Sequence, residues 1–405
     1  MYRVWGYLTE YSLLLIMGAI IALIWANTSF DSYHHFVEYV IWDHAWIGHA
    51  HMDAEGHIHR TLTFHYLVND LLMALFFAIA GKEVWEAVAL KNGSLRGKKS
   101  LTPLIATSGG MFGPIAVYLG LAMFMGKEVF EMTANGWAIP TATDIAFSYL
   151  VGRLVFGAGH PAVGFLLLLA IADDAAGLII LAIFYPSGEV APIWLLLSLA
   201  SAIGVYFFAN WLPRRLDRGK QDRPNSTFVN KQLGFLPYII AGCISWYGFM
   251  RSGIHPALGL LPIVPAIPHA DISFGIFAQA EKYLTDMLNR IEHALKSPVE
   301  VILFFFGLAN AGVVFSAIGD ATWLVLAGLI IGKPLGFWFM GWLAAGPMGL
   351  GLPDGMKTSD LFVLGCVAAI GFTVSLFVAS VAFPPGDVQD AAKMGALFSF
   401  FAAVL

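Results

Sequence analysis

The chain has 405 residues, of which 58% are hydrophobic and only 12% are charged, and its formal net charge is −5. Ordinary soluble domains contain about 25% charged residues, and a mean hydropathy of +0.74 exceeds what one soluble core buries. This composition excludes a soluble protein and a nucleic-acid-binding protein, and it predicts a chain that crosses a membrane many times.

Apolar runs near the length of about 20 residues that spans a bilayer follow one another along the whole chain. They predict an all-α membrane protein with a single transporter domain, residues 1–405, and about twelve transmembrane helices. The helices are centred near residues 19, 76, 113, 144, 174, 201, 241, 259, 307, 333, 372 and 398. The seventh and eighth runs are short and are separated by a break at residues 251–253.

The orientation of the helices follows from the positions of lysine and arginine. With twelve spans, sixteen of the 22 Lys and Arg residues fall in the connections on one side of the membrane and four in those on the other. Cytoplasmic loops are enriched in these residues. Both termini are therefore predicted to be cytoplasmic.

Four charged residues lie near the middle of predicted spans. Asp173 and Asp174 interrupt a charge-free run between His160 and Glu189, whereas Asp144 and Lys333 each stand alone in an apolar run. An ionisable side chain at the bilayer centre costs at least ~2.5 kcal/mol and marks a pathway or a partner. One acid and the lysine form at most one structural ion pair, so at least two acids remain to titrate or to bind a cation.

Two spans carry helix-breaking residues in the middle. "NGWAIPTATDIAFSYL" (135–150) places a proline before a Thr-Ala-Thr-Asp cluster, and "GCVAAIGFTVSLFVAS" (365–380) has a central Gly-Phe-Thr. Interrupted spans in corresponding positions of two halves indicate an inverted-repeat transporter with its site at the break. Packing kinks are the alternative. On the aspartate helix, neighbouring side chains point about 100° apart, so Asp173 and Asp174 face different surroundings.

Six ordered motifs resemble the NhaA sodium/proton antiporters, which use this inverted-repeat architecture. They are "VNDLLMALFFAIAGKEV" (68–84), "GWAIPTATDIAFS" (136–148), "LAIADDAAGLIILAIFY" (169–185), "FFGLANAGV" (305–313), "GLIIGKPLG" (328–336) and "AAIGFTVSLFVAS" (368–380). The resemblance covers almost the whole chain and implies two broken helices that cross near the midplane.

The resemblance also implies the function and its residues. It predicts exchange of cytoplasmic Na⁺ or Li⁺ for external H⁺ in a bacterial inner membrane, electrogenic and regulated by pH, without a cofactor. Asp174 is expected to be the essential carboxylate and Asp173 its partner, which pairs with Lys333. Thr143 is expected to join the aspartates in binding the cation, and Asp144 and Lys333 to offset the helix ends where Thr143 and Thr373 meet.

Residues of the family's pH-responsive cytoplasmic face are matched at several positions of this chain. The candidates are Asp70, Glu83, His255, Arg290, Glu292 and His293. "GKEVWEAV" departs from the family's usual "GLEVKREL", because Lys82 enters and Trp85 replaces a lysine; Asn289 likewise replaces a basic residue. The alternative for this region is a solvated helix end with an i,i+4 pair between Lys82 and Glu86.

The segment "GHAHMDAEGHIHR" (48–60) alternates histidines around a turn-like sequence, which is typical of a β-hairpin. The family has an external hairpin here, so residues 28–65 are predicted to form an external loop at a homodimer interface. The four imidazoles of this hairpin are predicted to be solvated, and a zinc site is the alternative. They belong to His49, His51, His57 and His59.

Two other functions are weighed against the antiporter. An intramembrane aspartyl protease also needs two aspartates in the membrane, but its Tyr-Asp and Gly-x-Gly-Asp motifs are missing from the sequence. A symporter for an organic or anionic solute on a similar inverted repeat is the nearer alternative. The excess of buried acid over base favours a cation.

Overall fold

A computed structural model describes residues 13–44, 46–52, 58–90, 93–95, 100–157, 159–220, 222–269 and 286–404. By their internal contacts the residues divide into two units. The first unit comprises residues 1–68, 95–177 and 300–405, and the second comprises residues 69–94 and 178–299. The chain is mostly helical, as its composition predicts.

The first unit contains the three strands and most of the helices. Its elements are α1 (Leu13–Thr28), α2 (Phe30–Val37), β1 (Val40–His44), β2 (His49–Met52), β3 (Ile58–Thr63), the start of α3 (Phe64–Ala89), α4 (Leu101–Met125), α5 (Lys127–Thr133), α6 (Ile145–Phe156), most of α7 (Pro161–Phe184), the end of α12 (Met287–Asn310), α13 (Asp320–Ala345), α14 (Thr358–Ala368), α15 (Phe372–Ala382) and α16 (Asp387–Phe398). Short 3₁₀ segments lie at Ala134–Gly136, Ile139–Thr141, Phe315–Ala317 and Ser399–Val404.

The second unit is entirely helical in its described part. It holds most of α3, the end of α7, α8 (Pro192–Leu216), α9 (Pro224–Leu233), α10 (Leu236–Ser252), the 3₁₀-rich α11 (Pro256–Ala266) and the first half of α12. Side chains of α8, α9, α10, α11 and α12 form its apolar core. The break predicted at residues 251–253 lies where α10 ends.

Five described helices are long and apolar enough to cross a membrane, namely α3, α4, α7, α8 and α13. The number rises to seven when two bent pairs, α9 with α10 (68°) and α14 with α15 (55°), each count as one span. The midplane charges Asp173 and Lys333 lie within α7 and α13. The total of twelve spans stays a prediction.

The three strands form one antiparallel sheet in the order β1-β3-β2. Strands β2 and β3 are the two arms of the histidine-rich segment, and β1 pairs with the other edge of β3. Thr63 ends β3 and its hydroxyl accepts a hydrogen bond from the backbone N–H of Tyr66 at 3.1 Å. Because this bond caps the first turn of α3, the sheet continues into the helix without a loop.

An apolar cluster in the first unit includes residues of the two helices that carry Asp173 and Lys333. It joins residues of α4, α7, α13 and α14, including Phe165, Leu169, Phe337 and Leu364, all of them buried. Helix α13 contains a π-helical turn at Gly328–Gly332, directly before Lys333. Such turns are rare and are frequent at functional sites.

Candidate ion-exchange site

The aspartate pair lies just past the middle of α7, a 24-residue helix with no other charged residue. Asp173 is buried and Asp174 is partly exposed. The two carboxylates therefore have different surroundings, as the helical spacing of neighbouring residues requires.

Lys333 is fully buried and is held by two oxygen atoms. Its Nζ donates a hydrogen bond to the backbone carbonyl of Thr141 at 2.5 Å and another to Oδ2 of Asp173 at 3.2 Å. Asp174 also interacts electrostatically with the ammonium group. The structure thus brings Lys333 to the aspartate pair, 160 residues earlier in the sequence.

Asp144 joins the beginnings of two helices. Its Oδ1 accepts the backbone N–H of Phe147 at 3.3 Å, in the first turn of α6, and so caps that helix. Its Oδ2 accepts the backbone N–H of Thr373 at 3.3 Å, in the first turn of α15, and also the Thr373 hydroxyl. A carboxylate at two helix N-termini faces two positive dipole ends.

The chain around Thr143 is not helical and lies beside the break between α14 and α15. The backbone N–H of Asp144 donates to the carbonyl of Ile370 at 2.7 Å, and the Thr143 hydroxyl donates to the carbonyl of Ala368 at 3.1 Å. Thr143 also hydrogen-bonds Asp173. Carboxylates, a hydroxyl and unwound backbone carbonyls therefore meet here, and hard cations prefer such oxygen ligands.

Comparison with known proteins identifies the family of this chain. The model of the family described as "Na+/H+ antiporter 1" matches residues 8–405. The chain belongs to the Na⁺/H⁺ antiporter 1 family.

Relatives in this family match the chain over nearly its full length. A protein of Jannaschia sp. (strain CCS1) named Na⁺/H⁺ antiporter NhaA is 74% identical over 405 residues, which are 100% of this chain and 96% of that protein. Proteins of the same name from Geobacter sulfurreducens and Desulfitobacterium hafniense (strain DSM 10664 / DCB-2) are 43% and 45% identical. They cover 97% and 99% of this chain and 93% of each relative.

A second group of charged residues lies in the second unit. Lys82 Nζ is 2.7 Å from Glu292 Oε2, 2.9 Å from Glu86 Oε2 and 3.4 Å from Glu83 Oε1. All four side chains are buried. The i,i+4 pair between Lys82 and Glu86 is present, but the expectation that it is solvated is wrong, because Glu292 of α12 packs onto the same ammonium group.

The remaining pH-response candidates do not join this group. His255 Nε2 lies 3.8 Å from Asp70 Oδ1, and both residues are buried. Arg290 and His293 are exposed, and Arg290 donates a hydrogen bond to the side-chain oxygen of Asn230 at 2.7 Å. The six candidates therefore occupy at least three separate places within the second unit.

The histidine-rich strands bring His51 and His59 opposite each other in the antiparallel register. His49 packs its ring edge-on against Tyr66, with the centroids 4.8 Å apart. His57 lies outside the described residues. Among the residues that the structure describes, no three His, Cys, Asp or Glu side chains are arranged to hold a metal ion.

Sequence reasoning missed two participants in these groups. The Thr141 carbonyl binds Lys333, and a backbone acceptor has no side-chain signature that reveals it. The sequence predicts Glu86 only as the partner of Lys82 in a solvated pair, although its spacing of three residues from Glu83 places both glutamates on one helix face. That spacing was the available signal for a charged cluster.

Proposed function

We propose that the chain exchanges cytoplasmic Na⁺, or Li⁺, for external protons and that each cycle moves net charge across the membrane. As a member of its family the chain is a secondary transporter of Na⁺ and H⁺, not an enzyme, and it needs no cofactor. It is a multi-pass protein of the bacterial inner membrane. One observation carries the proposal: Asp173 pairs with Lys333 inside the apolar helices, next to a second carboxylate, Asp174.

The proposed mechanism is a competition between protons and the cation for the same oxygens. Asp174, the more accessible carboxylate, binds and releases the ions. Asp173 and the hydroxyl and backbone of Thr143 add ligands when Lys333 releases its partner. If Asp174 and a second group of the site each lose one proton for every Na⁺ that binds, one net charge moves in every cycle, and the membrane potential drives Na⁺ out.

The proposed architecture places the site at the crossing of two interrupted helices within a bundle of twelve, with both termini in the cytoplasm. The 55° bend between α14 and α15 and the non-helical residues before α6 support this view. Asp144 then neutralises the helix N-termini at the crossing, and Lys333 the carbonyl end at Thr141.

The decisive experiment measures dissipation of a pH gradient in everted vesicles on addition of Na⁺, Li⁺ or K⁺. The parent protein is expected to respond to Na⁺ and Li⁺. Asp174→Asn abolishes the response, because an amide neither titrates nor brings negative charge to the cation, whereas Asp173→Asn leaves weaker transport. Asp354→Asn, at an exposed residue, is the control and retains the parent activity. No response to any cation would refute the exchange, and an active Asp174→Asn would refute the assignment of the carboxylate.

Electrogenic exchange is tested separately in proteoliposomes at constant pH gradient. An imposed membrane potential, negative on the side from which Na⁺ leaves, is expected to change the transport rate. A rate that is independent of the potential would show that the exchange is electroneutral.

The proposal extends to pH regulation and to a homodimer. The buried Lys82 group and the Asp70–His255 contact support a pH response in the second unit. The exposed apolar side chains of β1, at Val40, Ile41 and Trp42, support pairing of two sheets. Removal of residues 46–60 is expected to give monomers by light scattering in detergent, and a dimer that persists would place the interface elsewhere.

A further inference from the structure

The helix that carries Lys333 touches a neighbouring helix through bare backbone. A Cβ atom built on Gly113 of α4 would lie 2.3 Å from the carbonyl oxygen of Gly332, and one built on Gly109 would lie 2.1 Å from the carbonyl oxygen of Gly336. Real Cβ atoms essentially never approach other atoms within 3.0 Å. The two contacts are one helical turn apart on each helix, so α4 and α13 cross at a distance that only glycine permits.

A third helix fixes the same part of α13 from another side. A Cβ atom built on Gly365 of α14 would lie 2.5 Å from the Cα atom of Pro334. Lys333 stands between Gly332 and Pro334, so both of its chain neighbours are in backbone contact with other helices. The π-helical turn ends at Gly332, which leaves the direction of the Lys333 side chain dependent on these contacts.

We infer that Gly113 is a positioning residue for Lys333, an inference that rests on the proposed role of Lys333 in ion exchange. A methyl group at Gly113 must move the Gly332 carbonyl by roughly 1 Å to reach ordinary contact. The ammonium group is fully buried and has little freedom to compensate. Its bond to Asp173, already 3.2 Å long, then exceeds hydrogen-bonding distance.

The test compares Gly113→Ala with Gly120→Ala in proteoliposomes. Gly120 is on the same helix α4, and a Cβ atom there meets nothing within 4 Å. Gly113→Ala is expected to change the KM for Na⁺ by about threefold or more, a modest effect for a misplacement of this size. The pH of half-maximal activity also changes, because the ammonium group that opposes protons at the Asp173 carboxylate has moved. The Vmax at saturating Na⁺ and alkaline pH changes less, and Gly120→Ala matches the parent in all three quantities.

A double-mutant cycle separates positioning from packing. The quantity compared is the rise of the melting temperature that Na⁺ causes. Gly113→Ala is expected to change this rise in the parent background and to leave it unchanged in a Lys333→Gln background, because there is no ammonium group left to misplace. A Gly113→Ala protein that melts earlier but keeps the parent KM and pH profile would overturn the inference.

A milder variant covers the case in which Gly113→Ala does not fold. A Cβ atom on Gly110 would meet the ring of Phe337 rather than backbone, at 2.5 Å, so Gly110→Ala displaces α13 less and is expected to shift KM and pH in the same directions by a smaller amount. Parent-like kinetics in a folded Gly110→Ala would then refute the inference. A parent protein without Na⁺/H⁺ exchange would instead refute the proposed function, whatever the glycine variants do.

Discussion

The two buried lysines of this chain have very different neighbours. Lys333 in the first unit has one carboxylate, Asp173, and one backbone carbonyl within hydrogen-bonding distance. Lys82 in the second unit has three carboxylates within 3.4 Å, those of Glu83, Glu86 and Glu292. The first arrangement forms a neutral pair, whereas the second keeps an excess of acid when all of its members are ionised.

The two sets of neighbours imply different roles for the two lysines. A neutral pair in an apolar interior is stable until one partner is removed, and the second carboxylate, Asp174, lies outside this pair. Buried carboxylates in excess of their cation do not all ionise at once, because like charges close together disfavour ionisation. The first arrangement therefore fits the proposed ion exchange, and the second fits the proposed response to the proton concentration.

The largest effect is expected from removing Lys333. Lys333→Ala leaves Asp173 buried without a partner, and breaking a buried pair costs ~3–5 kcal/mol. We expect a clearly lower melting temperature in detergent and severely impaired exchange in everted vesicles. A Lys333→Ala protein that melts like the parent would refute the ion pair.

Lys333→Arg distinguishes a structural and electrostatic role of the lysine from a role as a proton carrier. Guanidinium keeps the positive charge but does not release a proton near neutral pH, whereas a desolvated ammonium group does. We expect Lys333→Arg to keep most of the stability and the exchange, as a structural and electrostatic role requires. Loss of turnover near neutral pH with an unchanged melting temperature would show instead that Lys333 carries a proton.

Removing Lys82 is expected to have the next largest effect, on stability rather than on exchange. Lys82→Met leaves three buried carboxylates without their cation, so the melting temperature falls, and it falls more at alkaline than at acid pH. The double variant Lys82→Met with Glu86→Gln removes one of these carboxylates and recovers part of the loss. Complete loss of exchange at every pH in a folded Lys82→Met protein would contradict the separation of the two roles.

A smaller effect, on pH dependence alone, is expected from Glu292. Glu292→Gln removes the carboxyl group closest to the Lys82 ammonium, 2.7 Å away, from a group of three neighbouring acids, and like charges close together disfavour ionisation. Half-maximal exchange is expected to move by about 0.5–1 pH unit to lower pH with an unchanged maximal rate. Glu128→Gln, at an exposed residue of α5, leaves the profile unchanged. An identical profile for the two variants would remove Glu292 from the pH response.

The smallest effect is expected from Asp217, which follows α8 outside the membrane-spanning segment. Burial raises the pKa of Asp217, but hydrogen bonds from Ser226 and Asn225 outweigh it and lower the pKa to about 2. The stabilisation is therefore present above the ordinary carboxyl pKa of about 4 and is lost as pH falls through about 2. Asp217→Asn is expected to lower the melting temperature by no more than about 2 °C, equally from pH 6 to pH 9. A difference that varies over this range would contradict the assignment.

The site in the first unit was accessible from sequence because single charges stand out in apolar runs. Asp144, Lys333 and the pair Asp173–Asp174 each interrupt a stretch without other charges, and the cost of burying them allows few explanations. The bend between α14 and α15 likewise falls where glycine and threonine interrupt an apolar run. Length and composition of the described helices identify fewer spans than the twelve predicted, because several of these helices are too short to cross a membrane alone.

The group around Lys82 was not accessible in the same way. Charged residues at a helix end usually reach water, and nothing in "GKEVWEAV" shows that Glu292, more than 200 residues later, covers them. The sequence predicts the hairpin of β2 and β3 but not β1, for a related reason. Strand β1 is a separate segment of the chain that pairs with the other edge of β3. The π-helical turn before Lys333 has no sequence signature beyond its two glycines.

Because β3 continues directly into α3, a movement of the sheet is transmitted to the first turn of this membrane helix. Because Thr63 is both the last residue of the strand and the cap of the helix, no flexible linker absorbs a torque applied to the sheet. A deletion that extended through Thr63 would also leave the Tyr66 amide without its acceptor, at a cost of about 1 kcal/mol. If two sheets pair in the proposed homodimer, they also hold the first turns of two α3 helices, and the partner protomer then acts on transport through the proposed external sheet.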